Sequence, residues 1–97
     1  MSYVFHPAAE AEHLETVAYL ESKRPGLGAL YLADFEHVIG LACETPQRYR
    51  IERSPDVRRI GMMQFPYAVL YRESSAVVQV LAVAHHRRRP SYWMGRL

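Results

Sequence analysis

The stretch AVVQVLAVA (Ala76–Ala84) decides the fold, because Gln79 is the only polar side chain in nine residues. An apolar run without alternation is typical of a central β-strand that is covered on both faces, or that has one face only partly wet. The preceding segment, Tyr67–Glu73, alternates between two faces, and Ser74 and Ser75 supply a tight turn between the two runs. Together these segments predict a β-hairpin at the centre of a sheet.

The segments on either side predict further strands. Ser2–Phe5 (SYVF) is aromatic and β-branched, and Val57–Phe65 is also strand-like, with Pro66 marking a bend before the central hairpin. Residues 47–56 are polar and are predicted to form a loop that can hold a short edge strand at Tyr49–Ile51. The sheet is therefore expected to continue outward from the hairpin in an antiparallel meander.

Two helices are predicted between the first strand and this meander. Ala8–Arg24 is rich in Ala, Glu and Leu, and Pro7 suits the first turn of a helix, where its missing N–H costs nothing. The segment RPGLG (Arg24–Gly28) breaks the chain, and a second helix then runs to Cys43 or Glu44. So short a break predicts an antiparallel pair. Apolar residues recur at helical spacing at Ala11, Leu14, Val17 and Ala18 in the first helix, and at Tyr31, Phe35, Val38 and Ala42 in the second.

The predicted element order is strand, helix, helix and then three strands, or β-α-α-β-β-β. This order favours an α+β fold in which a helical hairpin packs on one face of a small, mostly antiparallel sheet. The chain has 97 residues, of which 49% are apolar, and it has no internal repeat or linker. We therefore expect one domain over residues 1–97.

Charge is distributed unevenly along the chain. Residues 1–44 carry seven carboxylates and two basic side chains, whereas residues 45–97 carry ten arginines and three carboxylates. Lys23 is the only lysine, and arginine presents a planar fork that suits phosphate or carboxylate. The pattern predicts one basic surface for an anionic partner, although a solvated basic face without a partner is the simpler interpretation.

Composition also indicates the compartment. Cys43 is the only cysteine, so no disulfide can form within the chain, which is typical of a reducing cytoplasm. Carboxylates at Glu10, Glu12 and Glu15 do not fit a secretory signal peptide, and no apolar run is long enough to span a bilayer. We expect a cytoplasmic protein with no membrane partner.

The sequence contains no motif for a metal, a cofactor or a covalent nucleophile. His85 and His86 are adjacent, so on a strand they point to opposite faces and cannot share one ion. His6, His13 and His37 stand at no ligand spacing. A Gly-x-Ser-x-Gly elbow, a P-loop and a dinucleotide fingerprint are all absent. The sequence therefore predicts neither a metal site nor a cofactor.

The basic and aromatic side chains near the end of the last strand form the remaining candidate site. Arginines bind phosphates, and histidine can pass a proton at neutral pH, so this set could cleave RNA without a metal. The candidate catalytic residues are Arg58, Arg59, His85, Arg88 and Tyr92. The candidate binding residues, for nucleic acid or an acidic protein, are Arg87, Arg89, Trp93 and Arg96. Alternatively, the strip only holds an acidic protein tail, and Tyr92 and Trp93 are core residues.

Four segments, in this order, make the chain resemble the RelE/ParE superfamily of type II toxin–antitoxin toxins, often described as plasmid stabilization system proteins. They cover nearly the full length: VFHPAAEAE (Val4–Glu12), ETPQRYR (Glu44–Arg50), VRRIGMMQFPYAVLYRE (Val57–Glu73) and VLAVAHHRRRPSYWMGRL (Val80–Leu97). The resemblance implies a helical hairpin on an antiparallel sheet. It also implies a bacterial growth inhibitor that a cognate antitoxin holds inactive.

The resemblance leaves two targets open. ParE-like members inhibit DNA gyrase without being nucleases, whereas RelE-like members are metal-independent endonucleases that cut mRNA on the ribosome. The nucleases use basic residues on two sheet strands and then an Arg and a Tyr, which Arg58 or Arg59, Arg88 and Tyr92 match here. Ala68 departs from that pattern, because the nucleases usually keep an arginine there. Its absence removes a cation worth about 2–4 kcal/mol to the transition state, and a ParE-like role needs no such set.

Overall fold

The central hairpin lies inside a five-stranded sheet. The computed structural model describes all 97 residues. Its elements are β1 (Ser2–Phe5), α1 (Pro7–Lys23), α2 (Leu27–Glu44), β2 (Arg50–Arg53), β3 (Val57–Gly61), β4 (Tyr67–Ser74) and β5 (Val77–His85), with short 3₁₀ turns at Pro46–Arg48 and Met94–Arg96. The strand order is β1-β5-β4-β3-β2. β1 is parallel to β5, and all other neighbours are antiparallel. The predicted α+β class and element order are confirmed, and β2 adds the edge strand expected in the polar segment.

A carboxylate of α1 closes the helical hairpin. Gly26, the residue before α2, has φ +91°, a left-handed conformation that favours glycine, and it offers no side-chain cap. The Glu21 carboxylate instead accepts hydrogen bonds from the backbone N–H groups of Gly26 and Gly28, at 2.9 and 3.0 Å. A Cβ at Gly28 would lie only 3.0 Å from the Val17 carbonyl oxygen. The short break therefore needs both glycines, one for its turn and one for close helix packing.

The buried face of α1 differs from the predicted one. Ala9 and His13 are buried, with Val17 partly buried behind them, whereas Leu14 is 61% exposed. Ala11 and Ala18 are also exposed. The prediction of an Ala11, Leu14, Val17 and Ala18 stripe was wrong because it excluded histidine from the core. On α2 the predicted stripe of Tyr31, Phe35, Val38 and Ala42 is confirmed as buried.

His13 is accommodated in the core because it has a polar partner. Its Nδ1 lies 3.0 Å from the Tyr31 hydroxyl, and its ring packs 4.5 Å, centroid to centroid, from Phe35. Burial lowers the pKa of His13 below the ordinary value for histidine, so the folded protein holds the imidazole neutral. In the unfolded chain the same group takes up a proton near pH 6.5.

We expect His13 to make the protein less stable in acid. Because the unfolded chain binds this proton first, stability falls as pH drops through about 6.5, with a limiting slope of about 1.4 kcal/mol per pH unit, and the loss is complete below the folded pKa. Urea unfolding at pH 7.5 and 5.0 measures the effect. His13→Gln should flatten the pH dependence, and His37→Gln on the exposed side of α2 should not. Equal pH dependence in the two variants would contradict the assignment.

Asp34, a buried residue of α2, ends β3 earlier than predicted. Its carboxylate accepts hydrogen bonds from the backbone N–H groups of Met63, Gln64 and Phe65, at 3.0, 2.7 and 3.1 Å. These bonds turn the end of the predicted strand Val57–Phe65 into a loop. The connection between β3 and β4 is thereby tied to the helical layer.

A β-bulge in β5 sets which side chains reach each face. Leu70 pairs with Ala82 and Tyr71 with Val80, so Leu81 is the extra residue. Leu81 and Ala82 consequently both belong to the cluster on the face without helices. No helix combines the length and apolar character needed to cross a membrane.

Candidate functional site

The sheet face opposite the helices carries a second small core. Val57, Leu70, Leu81 and Ala82 form it together with Trp93, which is only 4% exposed. The segment after β5 folds back so that this indole covers the middle of the open face. Trp93 was predicted as a binding residue, and its burial shows instead that it is a core residue, the alternative that the sequence left open.

A basic cleft of about 150 Å³ lies beside Trp93 on this open face. Its floor includes Ala68 and Ala84, which are register neighbours on β4 and β5. Each of these two side chains is a single methyl group, so the sheet backbone is approachable there. Basic side chains surround the floor: Arg50, Arg59, His85, His86, Arg88 and Arg89. We call this feature the basic cleft.

The two arginines of β3 lie apart. Arg59 lines the basic cleft, directly opposite Arg50 in the register of β2 and β3. Arg58 does not line it, because its Nη1 donates to the carbonyl oxygens of Gln47 and Tyr49, at 3.1 and 2.7 Å. Arg58, a candidate catalytic residue, therefore lies outside the cleft. Of the two arginines, Arg59 is the one that can contact a molecule in it.

His85 lies at the end of β5, on the rim of the basic cleft. Its Nδ1 accepts a hydrogen bond from the Arg87 backbone N–H at 3.0 Å, so a neutral ring carries its proton on Nε2. The ring stands edge-on to Tyr67, at 5.0 Å between centroids. His86 lines the cleft as well, and its backbone N–H donates to the Pro66 carbonyl oxygen at 2.9 Å.

A cluster around Glu12 fastens the C-terminal segment to α1. The Arg96 guanidinium binds the Glu12 carboxylate through two bonds, at 2.8 and 2.7 Å, and also donates to the Leu81 carbonyl oxygen at 2.9 Å. The Tyr92 hydroxyl donates to Glu12 at 3.1 Å. Arg88 approaches the same carboxylate at 3.9 Å. We call this set the Glu12 clamp.

Tyr92 and Arg96, two of the predicted site residues, thus bind Glu12 within the fold. The Tyr92 ring contacts the guanidinium groups of Arg88 and Arg96, which lie 4.0 and 5.1 Å from its centroid. Burial, together with the nearby Glu12 carboxylate that its hydroxyl binds, raises the pKa of Tyr92 to about 12. The hydrogen bond to Glu12 also raises the pKa of Arg96. Arg96 was predicted to bind a partner, but its side chain is 15% exposed and is used within the fold.

The remaining candidates are exposed arginines. Arg87 and Arg89 are both exposed, and of the two only Arg89 lines the basic cleft. Arg88 lines the cleft while its side chain stays 56% exposed. The cleft therefore brings together Arg59, His85, Arg88 and Arg89, but not Arg58, Arg87, Tyr92 or Arg96. No three His, Cys, Asp or Glu side chains come together as a metal site would require.

Sequence reasoning missed the residues that shape the site through distant contacts. Glu12 and Arg96 are 84 positions apart, and the pattern of α1 gives no reason to pair them. Arg50 and Glu52 line the cleft and form an exposed ion pair at 3.2 Å, but the short edge strand expected at Tyr49–Ile51 stopped before Glu52, and neither residue was predicted as a site residue. The signal that could have found Arg50 is its alternation with Glu52 on a strand, which predicts one shared face.

The fold is similar to that of two solved structures. The structure is similar to the chromosomal ParDE toxin–antitoxin system of P. aeruginosa, with a TM-score of 0.74, 16% identity, and coverage of 88% of this chain and 95% of that chain. It is also similar to the isolated E. coli RelE toxin, with a TM-score of 0.68, 18% identity, and coverage of 97% and 93%. At these identities the likeness establishes the fold, which is that of the small RelE/ParE toxins.

The sequence itself then identifies the family. A family model described as the ParE toxin of type II toxin–antitoxin systems, parDE, matches residues 3–90. The chain therefore belongs to the ParE toxin family. As a toxin of a type II system, it has an antitoxin as its partner. No curated protein matches the sequence significantly.

Proposed function

We propose that the chain stops growth by binding and inhibiting DNA gyrase in the cytoplasm, and that it does not cut RNA. The observation that carries this proposal is the dispersal of the candidate catalytic side chains. Arg58 and Tyr92 are bonded outside the basic cleft, and Ala68 forms part of its floor. Metal-free RNA cleavage needs a base, an acid and cations that meet at one phosphate. Membership of the ParE toxin family supports gyrase as the target.

The chemistry of Tyr92 also argues against a nuclease. With a pKa of about 12 its hydroxyl keeps its proton at neutral pH, so it cannot serve as a base. The same hydroxyl points at Glu12 rather than into the cleft. To act as an acid, Tyr92 would first have to break its hydrogen bond to the Glu12 carboxylate, which stabilises the protonated hydroxyl.

A RelE-like, ribosome-dependent endonuclease is the alternative, and one observation favours it. Arg59, His85 and Arg88 share the basic cleft, as a proton-transfer group and two cations would. His85 is nevertheless a poor base in this arrangement. Its Nδ1 is bonded to the Arg87 backbone, and Nε2 carries the proton of the neutral ring, so no free lone pair faces a substrate.

The two functions separate in a pair of assays on Tyr92→Phe, which keeps the ring and removes the hydroxyl. We expect the purified wild-type toxin and the variant to block supercoiling of relaxed plasmid by gyrase equally well. After induction without antitoxin, primer extension should find transcripts uncut in both strains. Ribosome-dependent transcript cuts by the wild type, lost in Tyr92→Phe and accompanied by normal supercoiling, would reject the gyrase proposal in favour of the nuclease.

A further inference from the structure

The basic cleft holds like charges side by side without enough carboxylates to neutralise them. Arg50 and Arg59 are directly opposed on β2 and β3, an arrangement that destabilises a sheet. Arg50 has a partner in Glu52, but Arg59 makes neither an ion pair nor a side-chain hydrogen bond. Arg89 on the other rim is also unpaired. An anion between the rims would relieve this repulsion.

The shape of the cleft favours a strand of sugar and phosphate over an isolated ion. The cleft is lined by Arg59 on β3, Ala68 on β4 and Ala84 on β5, so it spans three strands, about 10 Å between the outer two. The methyl groups of Ala68 and Ala84 give an apolar surface for sugars, while the arginine forks on both sides fit phosphate oxygens. Trp93 forms part of one wall. The volume of about 150 Å³ is comparable with one sugar-phosphate unit, so the cleft takes one strand at a time.

Arg88 is placed to join this contact. It approaches Glu12 only at 3.9 Å, whereas Arg96 already occupies both oxygens of that carboxylate at 2.8 and 2.7 Å. Its side chain is more than half exposed and lines the cleft. Turning toward a phosphate would therefore break no hydrogen bond, and the contact that Arg88 gives up is the one with the Tyr92 ring, 4.0 Å from its centroid.

We infer that the basic cleft binds the phosphodiester backbone of a single DNA strand, with Arg59, Arg88 and Arg89 on the phosphates. The choice of DNA over RNA rests on the proposed function, because gyrase acts on DNA and an inhibitor bound to gyrase lies close to that DNA. The toxin would then recognise gyrase together with its DNA. The binding itself follows from the cleft alone, and it can be measured in the absence of gyrase.

The experiment measures fluorescence anisotropy of labelled dT12 with the purified toxin over a series of salt concentrations. We expect wild-type binding, and at least tenfold weaker binding for the double variant Arg59→Gln, Arg89→Gln. Loss of two phosphate contacts should also lower the salt slope by about 1.4. The double variant Arg24→Gln, Arg48→Gln removes the same charge outside the cleft and should bind like the wild type. Circular dichroism checks that both variants are folded.

Each contrary outcome overturns the inference in a different way. No dT12 binding by the wild type, or equal weakening in both double variants, would remove the cleft as the site. Binding of a labelled rU12 strand alone would reject DNA, and displacement of dT12 by a tenfold lower concentration of oligoglutamate would identify an acidic protein as the occupant. Failure of the gyrase assay leaves the dT12 result intact, so the two proposals can fail separately.

Discussion

Arg96→Met should lower the free energy of unfolding by about 3 kcal/mol, because it leaves the Glu12 carboxylate without its main counter-charge. Glu12 is mostly buried, with a side chain 17% exposed, and the variant keeps only the Tyr92 hydroxyl and the distant Arg88. The Leu81 carbonyl oxygen also loses a donor. Urea unfolding measures the loss.

Trp93 gives this prediction a local readout, since it is the only tryptophan. Release of the C-terminal segment should expose the indole and shift its fluorescence to longer wavelength below the unfolding transition. Arg89→Met, an exposed change in the same segment, should alter stability by less than about 0.5 kcal/mol. Glu12→Met combined with Arg96→Met should recover part of the loss, because no unpaired charge remains. Unchanged fluorescence and stability in Arg96→Met would show that the Glu12 clamp does not hold the segment.

Asp34→Ala should cost about 3 kcal/mol, because three backbone N–H groups lose a charged acceptor at once. Asp34 is 7% exposed, and its loss leaves the loop before β4 without the bonds that tie it to α2. The amides of Met63, Gln64 and Phe65 should then exchange with solvent faster than those of β4. Hydrogen exchange read by NMR, together with urea unfolding, tests both parts.

Two substitutions on α2 serve as controls for Asp34. Asp34→Asn should fall between the wild type and alanine, because the amide oxygen keeps an acceptor but loses the charge. Glu36→Ala removes an exposed carboxylate from the same helix and should leave stability within about 0.5 kcal/mol. If Asp34→Ala and Glu36→Ala behave alike, the bonds to the loop contribute little to stability.

Local patterns in the sequence were enough to predict the fold. The apolar run of β5 and the alternation of β4 predict a central hairpin. A strand buried on both faces is apolar throughout, whereas a strand covered on one face alternates between apolar and polar residues. Pro7 and the RPGLG break fix the helices, because they act on the backbone of their own neighbourhood. None of these signals needs knowledge of a distant residue, which is why the predicted element order was correct.

The site could be predicted only in part, because its geometry depends on contacts between distant segments. The strand period required Arg58 and Arg59 to face opposite sides, but only the β2–β3 pairing shows which of them faces the cleft. From their residue types alone, Tyr92 and Arg96 were expected on the basic, aromatic rim after the last strand. Their side chains are directed to α1 by Glu12, and a charge count cannot distinguish an arginine that binds a carboxylate of its own chain from one that is free.

The parallel pairing of β1 with β5 has a genetic consequence. Ser2 lies beside Val77, so the first strand has no partner until the last one has been made. The helical hairpin can form from local contacts, but the sheet on which it packs is incomplete until then. A nonsense or frameshift mutation anywhere upstream of β5 should therefore yield a null allele rather than a weakened one, and selection for escape from such a gene would find loss-of-function alleles along most of its length.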